Sequence, residues 1–329
     1  MKVLVTGGAG FVGSHLVEAL VERGYDVSVI DSLRHGGKKE NVHPDAQLFV
    51  ADITNHTAIK KILKSVRPKA ILHLASQINV RHSIDNPQYD QLVNTQATIN
   101  LIETAKNLGL KTFVYASTGG VMYGDDAPRP TTEEHPAVPT IPYCISKLSA
   151  ENYLRFFSEK NDIRFVALRP SNIYGPRQNP HGEAGVIAIF LEKMIHGINP
   201  IIYGDGEQTR DFVYVDDVVR AFILALEKRR VSGVYHISCE CEISVNQIFH
   251  ALNSHFENMF EKKHIPAPWK EQHGSCLSYQ KIKNEIGWEP KVALEEGISL
   301  IIEDYKKTLA PVKKTPAFKR MRHAFTSFL

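Results

Sequence analysis

Tyr143 and Lys147 stand four residues apart in Tyr143-Cys144-Ile145-Ser146-Lys147. On a helix, that spacing puts one side chain above the other. A neighbouring ammonium favours phenolate over phenol, which makes a tyrosine of pKa ~10 a plausible general base near neutral pH. The pair alone occurs by chance in many helices, so the company it keeps decides its meaning. VYASTGGVMYG, Val114–Gly124, ends an apolar strand with Ser117-Thr118. Hydroxyls there would face a cleft at the carboxyl end of the strand. A turn or helix-cap role for Thr118 is the competing reading.

A second constellation lies at the start of the chain. Gly7-Gly8-Ala9-Gly10-Phe11-Val12-Gly13 follows a strand-like run and opens a helical one. Glycines at that junction let the backbone turn tightly and approach a pyrophosphate at the positive helix end. Asp31 closes the next strand, 18 residues after Gly13. A carboxylate there accepts both ribose hydroxyls of NAD and repels the 2′-phosphate of NADP. Arg34 and the Lys38-Lys39 pair lie nearby, but neither replaces the acid. Asp52 and Ile53, just past the third strand, are placed to meet an adenine. A nicotinamide cation beside Tyr143 would lower its pKa further.

The elements that must carry these groups follow from hydrophobic pattern. Val3–Thr6, Val27–Ile30, Leu48–Val50, Ala70–Leu74, Phe113–Ala116 and Phe165–Leu168 are short, non-alternating apolar runs, as in strands covered on both faces. Helical stretches at Val12–Arg23, Ala58–Val66, Tyr89–Leu108 and Tyr143–Lys160 separate them. The alternation predicts an α/β fold, a Rossmann-type doubly wound parallel sheet. Residues 1–170 would form the dinucleotide domain. A smaller, mostly C-terminal α/β substrate lobe would span 171–305, interleaved, with a strand at Val234–Ile237 returning to the first sheet. A loop at Tyr174–Gly185, then helices at Val186–His196 and about Val215–Lys228, would line a shared cleft.

Composition excludes other classes. The chain has 329 residues, 43% hydrophobic and 23% charged, which suits a globular protein rather than a disordered one. No apolar run approaches the ~20 residues of a membrane span. The chain enters its first strand at once, so a cytoplasmic protein is expected. The net charge of +3 is uneven: residues 306–329 hold seven Lys and Arg and no acid, leaving 32 bases against 36 acids before them. No nucleic-acid footprint covers the body. The tail places Phe318, Met321, Phe325 and Phe328 at helical spacing beside Lys319, Arg320 and Arg322. Such a helix can lie on an anionic membrane, but packing on its own protein or a dimer mate is the expectation. Cys144, Cys239, Cys241 and Cys276 are too scattered for a disulfide framework, and Cys239-Glu240-Cys241 lacks the second pair of a zinc site, so no metal is expected.

Taken together the motifs resemble the extended short-chain dehydrogenase/reductase family, specifically its NAD-dependent epimerase/dehydratase branch of UDP-glucose 4-epimerase type. The matching pieces are GGAGFVGSHL (7–16), HLASQ (73–77), STGGVMYG (117–124), PYCISKLSAENY (142–153), LRPSNIYGPRQNPHGEAG (168–185), GDGEQTRDFVYVDD (204–217) and GWEPKVALEEG (287–297). The resemblance implies NAD held at Gly7, Gly10, Phe11, Val12, Asp31, Asp52, Ile53, Ala75, Tyr143 and Lys147. It implies Tyr143 as base and acid, Lys147 gripping the nicotinamide ribose, and Thr118 on the reacting oxygen. Asn172 and Arg210 would hold a nucleotide diphosphate, and Glu271 a nucleotide ribose. The expected substrate is a nucleotide sugar, foremost a UDP-hexose, epimerised at C4 through a 4-keto sugar. A homodimer through Tyr89–Leu108 and Tyr143–Lys160 is also implied. Another nucleotide-sugar oxidoreductase or decarboxylase, or a non-catalytic NAD-binding protein, stands as the alternative.

Two departures stand out. The family's 4,6-dehydratases carry Asp-Glu after the active-site Thr, whereas here Gly119-Gly120 follow Thr118. The Arg of the family's late Arg-x-Gly-acid stretch falls on Pro268, which implies one lost diphosphate contact. Ser275 and Cys276 are small and leave room for a substituent such as N-acetyl.

Overall fold

The computed structural model describes residues 1–34, 36–181, 185–267 and 272–309. In the first half, strands and helices alternate: β1 (Lys2–Thr6), α1 (Phe11–Glu22), β2 (Asp26–Asp31), β3 (Gln47–Val50), α2 (His56–Val66) and β4 (Ala70–His73). Then follow α3 (Val80–Asp85), α4 (Pro87–Gln91), a π-helical turn (Leu92–Gln96), α5 (Ala97–Lys106), β5 (Thr112–Ala116), α6 (Pro142–Asn161) and β6 (Arg164–Pro170). The second half holds β7 (Asn172–Tyr174), α7 (Val186–Ile195), β8 (Ile201–Tyr203), β9 (Thr209–Arg210), β10 (Phe212–Tyr214), α8 (Val215–Glu227) and β11 (Gly233–Ile237). It ends with β12 (Ile243–Ser244), α9 (Val245–Ser254), β13 (Lys263–Ile265), α10 (Gln280–Ile286) and α11 (Leu294–Leu309).

Seven strands form one parallel sheet in the order β11-β6-β5-β4-β1-β2-β3. Alternate residues of β1 feed two separate cores, as strand geometry requires. Val3 and Val5 join Leu16 and Leu20 of α1 and Phe222 of α8. Leu4 joins Leu63 of α2, Leu101 of α5 and Leu154 of α6 on the other face. Both faces of the sheet are thus covered, which is why its strands read as continuous apolar runs. Strand order reverses between β1 and β4, and a crevice opens outside their carboxyl ends at such a point.

The expected single helix Tyr89–Leu108 differs in detail. Its first turns pass through the π-helical turn Leu92–Gln96 before α5 begins. The inserted residue lets Asn94, almost fully buried, aim inward. Its carbonyl accepts from Ser76 Oγ and the Gln77 amide, at 2.7 and 2.8 Å, and its Nδ2 donates to Gln77 O, Asp90 Oδ1 and Ser146 Oγ. An apolar-periodicity reading has no signal for this polar insertion. The C-terminal part carries three two-stranded ribbons, β7–β10, β9–β12 and β8–β13, too short to stand out in sequence. Trp288, fully buried, ties this region to α8 by donating Nε1 to Asp217 O at 2.8 Å.

Candidate active site

A cleft of about 1000 Å³ lies over the carboxyl ends of β1, β2, β4 and β5. The β1–α1 turn forms its floor. A Cβ at Gly13 would lie 2.0 Å from Gly7 O, and one at Gly7, with φ of 72°, would lie 2.8 Å from Ala75 N. Only glycine lets the turn, the helix and the β4 end pack this closely. Gly10 starts α1 without a side-chain cap, so the first amides of the helix are not satisfied by a side chain of their own cap. Asp31, buried at the end of β2, accepts from Ala9 N at 3.0 Å and Leu33 N at 2.8 Å. Two amides fix its orientation, and a carboxylate keeps further acceptor sites for ribose hydroxyls. Asp52 takes Thr54 N and Oγ1 on one oxygen and Arg34 on the other at 3.4 Å. Gly7, Gly10, Phe11, Val12, Asp31, Asp52, Ile53 and Ala75 all line the cleft. The glycine cradle, the fixed acid and the volume fit a dinucleotide.

The catalytic candidates line the same cleft at its other end: Ser117, Thr118, Tyr143 and Lys147. Pro142 starts α6, where a missing N–H costs nothing, and places Tyr143 and Lys147 one turn apart. The Tyr143 amide donates to Ser83 Oγ at 3.2 Å, tying α6 to α3. Lys147 is nearly fully buried, donates Nζ to Ala116 O at 2.7 Å, and sits 4.6 Å from the Tyr115 ring centroid. Burial pulls its pKa down to about 8, against the opposing pull of the Asp90 and Glu151 carboxylates. The ammonium is therefore present below about pH 8 and lost above it. We expect kcat/KM to fall as pH rises through about 8; a pH–rate profile that stays flat to pH 10 would count against a role for that cation.

Sequence reasoning missed the buried network behind Thr118. Glu151 on α6 pairs with Arg169 on β6, Nη2 to Oε2 at 2.6 Å and Nε to Oε1 at 3.0 Å, both side chains at most 6% exposed. Glu151 also accepts from Ser117 Oγ, and Arg169 Nη1 donates to Tyr123 Oη at 2.5 Å. One ion pair thus holds both ends of the segment Ser117–Tyr123, which contains Thr118. Tyr123 Oη lies 2.6 Å from His236 Nε2, and the His236 amide donates to Glu133 at 2.7 Å. Burial, then the Arg169 charge, pushes the His236 pKa down to about 3, so the ring is neutral. The signal was present: Arg169 directly follows the apolar run Phe165–Leu168 within the same strand, and such a charge must find a partner.

The expected substrate residues fall elsewhere. Asn172 and Arg210 do not line the large cleft. Asn172 starts β7, donating its amide to Asp211 O at 2.9 Å, and its Oδ1 lies 3.1 Å from where a Gly120 Cβ would be. Arg210 donates Nη1 to the carbonyls of Thr209 at 2.7 Å and Gln272 at 2.9 Å. Neither lines the narrower pocket beyond Thr118 either, but each lies against one of its lining residues, Gly120 and Gln272 respectively, which line it together with Gly119 and Ser275. Pro268, Glu271 and the tail aromatics lie outside the described residues. Among the described residues, no group of three metal-ligating side chains gathers, and no helix is long and apolar enough to cross a membrane.

A glycine-floored crevice at the β1–β4 reversal, a buried acid held by two amides at the end of β2 and a Tyr–Lys pair at the other end of the cleft are the marks of a dinucleotide-dependent fold family. The chain belongs to the NAD dependent epimerase/dehydratase family, whose profile matches residues 3–238. It is similar to UDP-glucose 4-epimerase of Thermotoga maritima, solved with UDP-glucose: 42% identity, TM-score 0.90, covering 94% of this chain and 100% of that one. UDP-glucose 4-epimerase of Mycolicibacterium smegmatis is 38% identical over 311 residues, 93% of this chain and 99% of its own. dTDP-D-glucose 4,6-dehydratase of Mus musculus is 32% identical over 320 residues, 93% and 89% of the two chains.

Proposed function

We propose that the protein is an NAD-dependent nucleotide-sugar 4-epimerase acting on a UDP-hexose. The observation that carries this choice is the wall beside Thr118. A Cβ at Gly119 would lie 2.3 Å from Leu277 Cδ1 and 3.1 Å from Arg169 O, and one at Gly120 would lie 3.1 Å from Asn172 Oδ1. Elimination of water needs an acid beside the reacting sugar; Gly119 and Gly120 carry none, and a side chain at 119 would run into Leu277 and the end of β6. Epimerisation needs only a proton relay at one oxygen and room for the sugar to turn.

When bound, the nicotinamide supplies a hydride acceptor and donor for C4. The chain's own residues do the rest. Tyr143 takes the proton from the C4 hydroxyl and later returns it. Lys147 holds positive charge beneath it and the ribose in place, and Thr118 donates to the same oxygen. The cleft keeps the ketone until its other face is presented. Asn172 and Arg210 hold the diphosphate, and Glu271 the nucleotide ribose. Incubation with UDP-, dTDP-, GDP- and CDP-hexoses, read by NMR and mass spectrometry, tests this reading. One sugar converts to its C4 epimer at unchanged mass; a product lighter by one water, or net NADH accumulation, would refute it.

The same reading includes a cytoplasmic homodimer. All four cysteines are unpaired, as a reducing compartment allows. Ile84, Leu92, Ile145 and Phe156 are 44–58% exposed on α3, the π-helical turn and α6, which pack side by side. Clustered exposed apolar groups favour a second copy of the chain. An Ile145→Glu/Phe156→Glu variant is expected to sediment as a monomer where the parent sediments as a dimer; equal sedimentation would remove this surface from the interface.

A further inference from the structure

The pocket beyond Thr118 holds a charged side chain that neither the cofactor cleft nor the proton chemistry uses. Arg129 lines it together with Gly119, Gly120, Gln272 and Ser275. Its guanidinium lies directly over Gly274, where a Cβ would come within 2.2 Å of Nη1 and 2.7 Å of Cζ. Any other residue at 274 would displace it. Glu242 Oε1 accepts from Arg129 Nε at 3.1 Å, and Glu242 Oε2 accepts from Thr209 Oγ1. The backbone on either side is pinned as well. Thr131 N donates to Cys276 O at 2.9 Å, Ser278 N to Thr131 O at 2.7 Å, and His273 N to Asp125 Oδ1 at 2.8 Å. Glu242 and the bare Gly274 backbone thus orient the guanidinium, which stays 37% exposed and open to a ligand.

Resting on the reading of the site as a nucleotide-sugar site, we infer that Arg129 reads a neutral oxygen acceptor on the sugar, a hydroxyl or an acylamino carbonyl away from C4. Two features argue for the sugar. The pocket begins at Gly119, next to the residue assigned to the reacting oxygen, and its volume of about 10 Å³ suits a single hydroxyl or carbonyl oxygen of the same ring. Glu242 also makes the pair formally neutral, which suits a neutral acceptor better than a second anion. Arg210, one residue beyond Thr209 and bonded to Gln272 O, is left for the diphosphate.

Calorimetric titration of the NAD-loaded enzyme with UDP, UDP-glucose and UDP-N-acetylglucosamine separates these roles without requiring turnover. For Arg129→Met, affinity for at least one UDP-sugar drops about 10-fold or more while that for UDP changes less than twofold. Arg129→Lys, which keeps charge but loses the planar fork, falls between. Equal weakening of UDP and UDP-sugars would move Arg129 to the diphosphate and overturn the inference. So would unchanged affinities, which would leave a structural ion pair, or a parent protein that gains no affinity from any sugar over UDP. Sugar-dependent loss in a protein that never epimerises a sugar would refute the proposed activity and leave the Arg129 assignment standing.

Discussion

Tyr143→Phe is expected to lower turnover about 10²–10⁴-fold, the range attributed to positioned general acid–base groups. The ring stays, so its packing in the cleft wall and the Tyr143 N to Ser83 Oγ bond at 3.2 Å both remain. What is lost is the oxygen that the proposed mechanism uses to move the proton of the sugar hydroxyl, with Lys147 a turn below. The affinity for UDP-sugar should therefore change far less than kcat. NMR rates beside calorimetric titration of the same preparation separate the two. A variant that keeps more than a tenth of parental turnover would transfer the proton to another group.

The second large effect is on the buried pair behind the site. Glu151→Ala leaves Arg169, 6% exposed, without its carboxylate, and removing one partner of such a pair typically costs about 3–5 kcal/mol. Ser117 loses its acceptor as well. Denaturant unfolding should show the loss directly. The double variant Glu151→Leu/Arg169→Met removes both charges and is expected to recover much of the stability, because apolar replacement of a whole pair is often neutral. Turnover should not recover with it, because Ser117 and Tyr123 are still released and Thr118 lies between them. Recovery of both would reduce the pair to a stability element.

Much of the fold was legible because burial on both faces of a parallel sheet writes itself as short Val, Ile and Leu runs. β1, β2, β4, β5 and β6 lie where those runs predict, and β11 pairs with β6 as the Val234–Ile237 run suggested. The glycine turn was legible for a different reason: a Cβ at Gly13 would lie 2.0 Å from a carbonyl, which leaves no alternative residue, and Asp31 was legible as the acid that closes the next strand. Polar burial was not legible. The Asn94–Ser146 and Asp90–Ser146 contacts and the Glu151–Arg169 pair join residues on separate elements, which no local pattern reveals. Arg129 was missed for the same reason: its pocket exists only because Gly274, well over a hundred residues later, lacks a side chain. Asn172 and Arg210 were named from motif; the structure sets them outside the large cleft, beside Gly120 and Gln272 of the narrower pocket, a position that periodicity could not supply.

The central claim is that hydride leaves and returns to one sugar carbon within one site. UDP-glucose deuterated at C4, incubated with the NAD-loaded enzyme in ordinary water, tests it most directly. UDP-galactose with deuterium still at C4 and no change in mass is expected, because Tyr143 exchanges only the oxygen-bound proton with solvent. Loss of the C4 label to water, or a product whose label has moved to another carbon, would contradict it.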